Sequence, residues 1–235
     1  MTPRIVEVDA LDCAYTPRDW AFARERAADI DAHWRSVTAG NPAVFNGRVL
    51  LLHEGEVRGR VFHGAYLETD YKSFLAWRDF GAPDKTVRNC FGMAALRCDD
   101  GAFLIGEMNA HTSNAGKIYF AAGTPEPGDI SGGAVDLTAS VLRELEEETG
   151  LAPGEVTLGE GWTLVFHGYR VACMKRVRAA GPAEARKARI DTWLAAQSQP
   201  ELVRMHVYRQ RGDVDAARMP EFMQAYLDFA LIAGY

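Results

Sequence analysis

Val141-Leu142-Arg143-Glu144-Leu145-Glu146-Glu147-Glu148-Thr149-Gly150-Leu151 places four glutamates in five positions, with an arginine directly before them. Like charges four apart on a helix cost a few tenths of a kcal/mol per pair, so this density needs solvent or a counter-cation. On a helix, Glu144, Glu147 and Glu148 share one face and Glu146 stands to the side. Three convergent carboxylates suit a hard divalent cation, which takes oxygen ligands and leaves positions for substrate phosphates. Leu137, Val141, Leu142 and Leu145 form a separate apolar stripe that can pack on a sheet. Asp136 is placed to N-cap this helix, and Gly150 is placed as the left-handed residue that ends it. The alternative is an acidic helix with one solvated face.

The order of the residues favours the metal reading. From Arg143 to Leu151 the chain fits REUxEExGU, where U is aliphatic, at all seven specified positions. It therefore resembles the second half of the Nudix box. The full family pattern is Gx5Ex7REUxEExGU, and the first half departs from it. Fourteen residues before Arg143 stands Asp129 in place of glycine, and eight before it stands Val135 in place of glutamate. Two glycines offer a repair: Gly133 with a loop shortened by four, or Gly123 with a loop lengthened by six. Gly123 is preferred because it ends the strand-like run Ile118-Tyr119-Phe120-Ala121-Ala122. Glycine there lets the backbone come close to a metal or phosphate. An ordinary strand-end turn is the competing reading of Gly123.

The resemblance implies an α/β fold, a Nudix-type α/β/α sandwich with a mixed β-sheet, over residues 88–235. It implies metal-assisted attack of water on the pyrophosphate of a nucleoside diphosphate linked to another moiety. In the matched positions, Glu147 and Glu148 would bind Mg²⁺ or Mn²⁺. Glu144 would be a further ligand or would help deprotonate the water. Arg143 would fix the rotamer of Glu147, and Gly123 would offer its backbone carbonyl. The general base in this family sometimes lies outside the box, and Glu201 is the acid that fits that role. His111, in a polar loop with Thr112, Ser113 and Asn114, is a further candidate for contacts to a phosphate or sugar. Some Nudix-like domains bind a nucleotide without turnover, usually after losing box acids. This chain keeps them, so an enzyme is expected and a non-catalytic nucleotide sensor is the alternative.

Residues 1–87 read as a small α+β extension packed on the core, with the boundary at Ala82-Pro83-Asp84-Lys85. The pattern predicts a helix over 19–38 with Trp20, Ala23, Ala27, Ile30 and Trp34 on one face. A hairpin follows, its strands 48–53 and 57–63 joined across Glu54-Gly55-Glu56, and then a helix over 70–80. Beyond the boundary, strands are expected over 90–97, 102–107, 117–122, 156–158, 163–174 and 202–208. Residues 124–135 read as a loop, and helices are expected over 182–197 and 219–232. Phe45-Asn46-Gly47, the strand after it and Tyr71-Lys72-Ser73-Phe74-Leu75 resemble the N-terminal part of animal Nudix hydrolases that act on UDP-glucose. That likeness implies a UDP-sugar cleaved to UMP and a sugar 1-phosphate.

Composition sets the outer bounds. The 235 residues are 48% hydrophobic and 25% charged, as in ordinary globular proteins. A net charge of −6 argues against non-specific binding to nucleic acid or an anionic membrane. It does not oppose a phosphorylated small molecule, since a bound cation supplies local positive charge. Cys13, Cys90, Cys98 and Cys173 are scattered, which points to reduced thiols and a cytoplasmic location. No apolar stretch follows Met1-Thr2-Pro3-Arg4, so no signal peptide is expected. No apolar run has the roughly 20 residues of a membrane-spanning helix.

Overall fold

The computed structural model describes residues 2–42 and 44–233. In chain order, β1 (Arg4–Val8) and β2 (Ala10–Tyr15) lead into α1 (Ala21–Glu25) and α2 (Ala27–Gly40). Next come β3 (Arg48–Arg58), β4 (Val61–Asp70) and α3 (Tyr71–Asp79), then β5 (Asn89–Cys98) and β6 (Phe103–Met108). Four two-residue strands follow: β7 (Ile118–Tyr119), β8 (Ala122–Gly123), β9 (Ile130–Ser131) and β10 (Ala134–Val135). The acidic segment forms α4 (Leu137–Thr149). The chain then continues through β11 (Val156–Leu158), β12 (Trp162–His167), β13 (Arg170–Ala179), α5 (Ala183–Ala195), β14 (Leu202–Tyr208) and α6 (Glu221–Ala233). No helix among the described residues is long and apolar enough to cross a membrane.

The main sheet runs β1-β12-β13-β5-β6-β14, with β11 beside β13, β7 beside β6 and β8 beside β5. It is mixed, since β5 and β13 are parallel over ten residue pairs and the other pairings are antiparallel. Successive residues of a strand point to opposite faces. On β5 those faces meet different helices. Phe91 packs edge-on against Phe222 of α6, with ring centroids 6.0 Å apart. The neighbouring Gly92 lies under α4, where a Cβ would stand 2.5 Å from a methyl of Val141. Trp193 of α5 covers Gly150 at the end of α4, on that same side. The sheet is thus the middle layer of an α/β/α sandwich.

The absent side chain at Gly92 lets the acidic helix approach the sheet. Gly92→Ala is expected to destabilise the fold by about 1–3 kcal/mol, since overpacking forces backbone shifts. Urea unfolding checks this, and an unchanged midpoint would show that Val141 yields freely.

A smaller sheet, β3-β4-β2-β10-β9, packs on the α4 side. Leu50, Leu52, Phe62 and Tyr66 face the main core, while Val49, Leu51 and Leu67 face a second core with Trp20, Ile30, Phe74 and Trp77. The stretches on either side of residue 87 exchange strands. β1 pairs with β12 in the main sheet, and β10 pairs with β2 in the smaller one.

Several expected elements differ in detail. The hairpin turn lies at Gly59-Arg60, not at residues 54–56, and β3 runs through Gly55 with a register shift beside Leu52. Gly55 is there for space: a Cβ would come within 2.8 Å of Leu52 and 3.0 Å of Phe62. The expected 19–38 helix breaks at Arg26 into α1 and α2. The expected strand 163–174 is two antiparallel strands turning at Gly168, whose φ is +59°. The run 117–122 divides because β5 and β6 pair only at Arg97 and Phe103. The segment inserts between the diverging strands, and Phe120 leaves it to pack on Phe103 and Tyr226.

Candidate active site

The acidic helix is fixed at both ends. The Asp136 carboxylate accepts from the N–H groups of Thr138 and Ala139 at 2.9 and 3.0 Å. Gly150 closes the other end at φ +68°. Leu137, Val141 and Leu145 are buried against the sheet, and that orientation also carries Glu148 inside.

Glu148 is 2% exposed. Its Oε1 accepts from the Ala122 N–H at 3.2 Å, while its Oε2 is buried with no hydrogen-bond partner among the described residues. An unsatisfied buried carboxylate oxygen carries a full desolvation penalty. Burial first, then the charges of Glu144 and Glu201, hold its pKa well above the ordinary carboxylate range.

Glu144, one turn earlier, lies against Gly123. A Cβ on Gly123 would stand 2.1 Å from Glu144 Oε1, so only glycine fits there with this carboxylate in place. Gly133, in contrast, turns the β9–β10 hairpin at φ +84° with open space around it. Burial raises the Glu144 pKa to about 7, with Arg143 opposing and Glu147 and Glu201 adding to the rise.

Arg143 sits among carboxylates. It reaches Glu144 Oε1 at 2.8 Å, Glu147 Oε2 at 3.1 Å and Asp129 Oδ2 at 3.1 Å. Burial works against its charge, but Glu144, Asp129 and Glu147 together raise its pKa. Glu147 is largely exposed at 59%, and Glu146 points to solvent. Among the described residues, no group of three or more His, Cys, Asp or Glu side chains is arranged to hold a metal ion. The expected trio does not converge, because Glu147 leans to Arg143 while Glu148 is buried against β8. The donor set still has the chemistry a hard cation needs: an orphaned carboxylate oxygen on Glu148, a second carboxyl, Glu144, whose charge burial opposes, and a glycine where backbone and carboxylate meet.

Asp129 was not among the residues expected at the site. It is 4% exposed and braces Arg143 from the short turn after β8, accepting also from the Glu126 N–H at 3.0 Å. Its position fourteen before Arg143, where the pattern asks for glycine, was the available signal. Asp129→Asn is expected to destabilise the protein by about 1–3 kcal/mol, because Arg143 loses its buried partner. Denaturant midpoints test this; a shift near zero would mean that Glu144 and Glu147 satisfy Arg143 alone.

The rim joins distant parts of the chain. Glu201, at the start of β14, is solvent-accessible overall, yet protein crowded around its carboxyl raises its pKa, and Glu147 adds to the rise. Its backbone carbonyl accepts from the Asn109 N–H. Tyr119, buried beside Glu148, accepts from Asn114 Nδ2 at 3.0 Å. The extension reaches the same loop: Asn41 donates to the His111 carbonyl, and the Tyr71 hydroxyl donates to Ser113 Oγ at 3.3 Å. His111 thus lies in a loop gripped by the extension, close to Glu201.

No protein-family model matches the sequence. No curated protein matches it either. Among solved structures, the chain is similar to Tm1382, provisionally described as a Nudix hydrolase, at 13% identity and TM-score 0.46, covering 79% of this chain and 99% of that one. It is also similar to a C. elegans Ap4A hydrolase at 12% identity and TM-score 0.40, covering 62% of this chain and 99% of that one. A MutT protein from Methanosarcina mazei Go1 is similar at 18% identity and TM-score 0.39, covering 60% of this chain and 91% of that one.

Proposed function

We propose that this protein hydrolyses the pyrophosphate bond of a nucleoside diphosphate linked to another moiety, with Mg²⁺ or Mn²⁺ as cofactor. The observation that carries this reading is the pair Glu144 and Glu148. Both are forced into surroundings that oppose their charge, one with an unpartnered oxygen and one fitted to the bare backbone of Gly123. Such a pair is costly without a cation. Glu144, Glu147, Glu148 and the Gly123 carbonyl would hold it. When bound, a divalent cation neutralises phosphate charge and makes water more acidic.

The remaining roles belong to the chain's own groups. Arg143 orients Glu147 and is itself oriented by Asp129. Glu201, with its raised pKa and accessible position, accepts the proton of the attacking water. The loop of His111 and Ser113, gripped by Asn41 and Tyr71, places the N-terminal extension at the rim, where it meets the non-phosphate part of the substrate. A nucleotide sugar such as UDP-glucose is the substrate this reading favours, on the resemblance of the extension.

A panel containing UDP-glucose, ADP-ribose and dinucleoside polyphosphates, incubated with Mg²⁺, Mn²⁺ or EDTA, tests the proposal. Cation-dependent release of a nucleoside monophosphate supports it. Tight nucleotide binding without turnover would replace the enzyme by a nucleotide sensor. Absence of both turnover and nucleotide binding would reduce α4 to a solvated acidic helix.

A further inference from the structure

The segment that inserts between β5 and β6 carries a buried hydroxyl that the roles above leave unused. Tyr119 is 9% exposed, and in β7 it stands opposite Gly106. Leu202 fills the space over Gly106, where a Cβ would come within 2.6 Å of a Leu202 methyl. Cross-strand partners share a face, so the Tyr119 ring lies on the side of Leu202, whose chain neighbour is Glu201. Farther along the same segment, the Ala122 N–H supports Glu148. Burial above all, then the charge of Glu148, pushes the Tyr119 pKa up, with Asn114 opposing and Glu201 and Tyr71 adding to the rise. The hydroxyl therefore lies where α4, the start of β14 and the N-terminal extension meet.

A tyrosine hydroxyl can both accept and donate. Tyr119 accepts from Asn114 Nδ2 at 3.0 Å, and no described residue accepts its hydrogen. The orphaned Glu148 Oε2 has no hydrogen-bond partner, so the hydrogen is not spent there. Tyr15, Tyr66 and Tyr71, in contrast, give their hydroxyl hydrogens to Glu68, the Cys90 carbonyl and Ser113. Buried polar atoms are normally satisfied, so an unspent donor at this junction points to an acceptor supplied from outside the chain. The surroundings define that acceptor. An anion beside Glu148 and Glu201 needs a cation to bring it there, and the phosphates of the proposed substrate come with one. A neutral donor suits the position, because a lysine or arginine would pair with Glu148 or Glu201 and compete with the cation.

We propose that the Tyr119 hydroxyl, held in place by Asn114, donates a hydrogen bond to a phosphate oxygen of the substrate. This role rests on the hydrolase reading of the same site and adds a neutral donor to the acids of α4.

The test is steady-state hydrolysis of UDP-glucose, ADP-ribose and a dinucleoside polyphosphate with Mn²⁺, by wild type, Tyr119→Phe and Asn114→Ala. Tyr119→Phe removes one oxygen and keeps the buried ring. It should lower kcat/KM by about tenfold or more for whichever of these wild type hydrolyses, the scale of one hydrogen bond to a charged group. Its melting temperature in EDTA should be unchanged. Asn114→Ala keeps the donor and loses only its support, so its loss should be several times smaller. A tyrosine that merely tethers the loop through Asn114 would give both variants the same loss. Equal losses therefore overturn the proposal, as does full activity of Tyr119→Phe or a large fall in its melting temperature. Those outcomes leave the hydrolase reading intact. Turnover of none of these substrates by wild type overturns that reading, and the role of Tyr119 with it.

Discussion

Glu148→Gln is expected to lower cation-supported hydrolysis by about a thousandfold or more, which corresponds to about 4 kcal/mol of barrier. The same substitution should leave the cation-free fold at least as stable as wild type. The two effects have one origin. Glu148 is buried with an unpartnered oxygen, so its charge costs free energy unless a cation takes it up. Glutamine keeps an oxygen for the Ala122 N–H and removes the charge. Steady-state kinetics and thermal melts with EDTA check the pair of outcomes. Retained activity, or a large loss of cation-free stability, would give Glu148 a structural role instead.

The second large effect is on stability as a function of pH. Burial holds Glu144 at about 7, above the 4.5 of an ordinary glutamate. An acid whose folded pKa is raised binds its proton more tightly in the fold than in the unfolded chain. The protonated fold is therefore favoured below pH 4.5, stability falls as pH rises from 4.5 to 7, and the loss then levels off. For Glu144 alone the loss is on the order of 3 kcal/mol. Glu148 adds to it in the same direction. Glu155 acts oppositely and at lower pH, since its bonds to Arg189 hold it at about 2. The clean comparison is thus wild type against Glu144→Gln in EDTA, by urea midpoints from pH 4 to 8. The variant should gain stability over wild type as pH rises to 7, and saturating Mn²⁺ should reverse that gain. Parallel pH curves for the two proteins would contradict the burial of this charge.

The acidic helix was legible in the sequence because its signals agree. The apolar stripe, the Asp136 cap and the Gly150 terminator all mark the same thirteen-residue helix. The choice of Gly123 rested on its place after a strand, and Gly123 is the glycine that meets Glu144. Other features depended on contacts that local pattern cannot carry. Gly55 looked like a turn residue, but it is a strand residue relieved of a clash with Leu52 and Phe62. Asp129 looked like a broken motif position, and only the fold brings it to Arg143. The residues 124–135 read as loop because a short helical turn and two paired dipeptides leave too little periodicity to detect. The link from Asn41 and Tyr71 to the loop of His111 and Ser113 spans distant parts of the chain and leaves no trace in spacing.

The proposed function stands or falls on whether Glu144 and Glu148 of α4, joined by Glu147 on release from Arg143, take up a divalent cation. Calorimetric titration of Mn²⁺ into the 235-residue chain tests it most directly, beside the same titration of Glu148→Gln. Saturable binding by wild type that weakens at least a hundredfold in the variant is the predicted result. Equal binding by both proteins, or none by wild type at millimolar Mn²⁺, would contradict it.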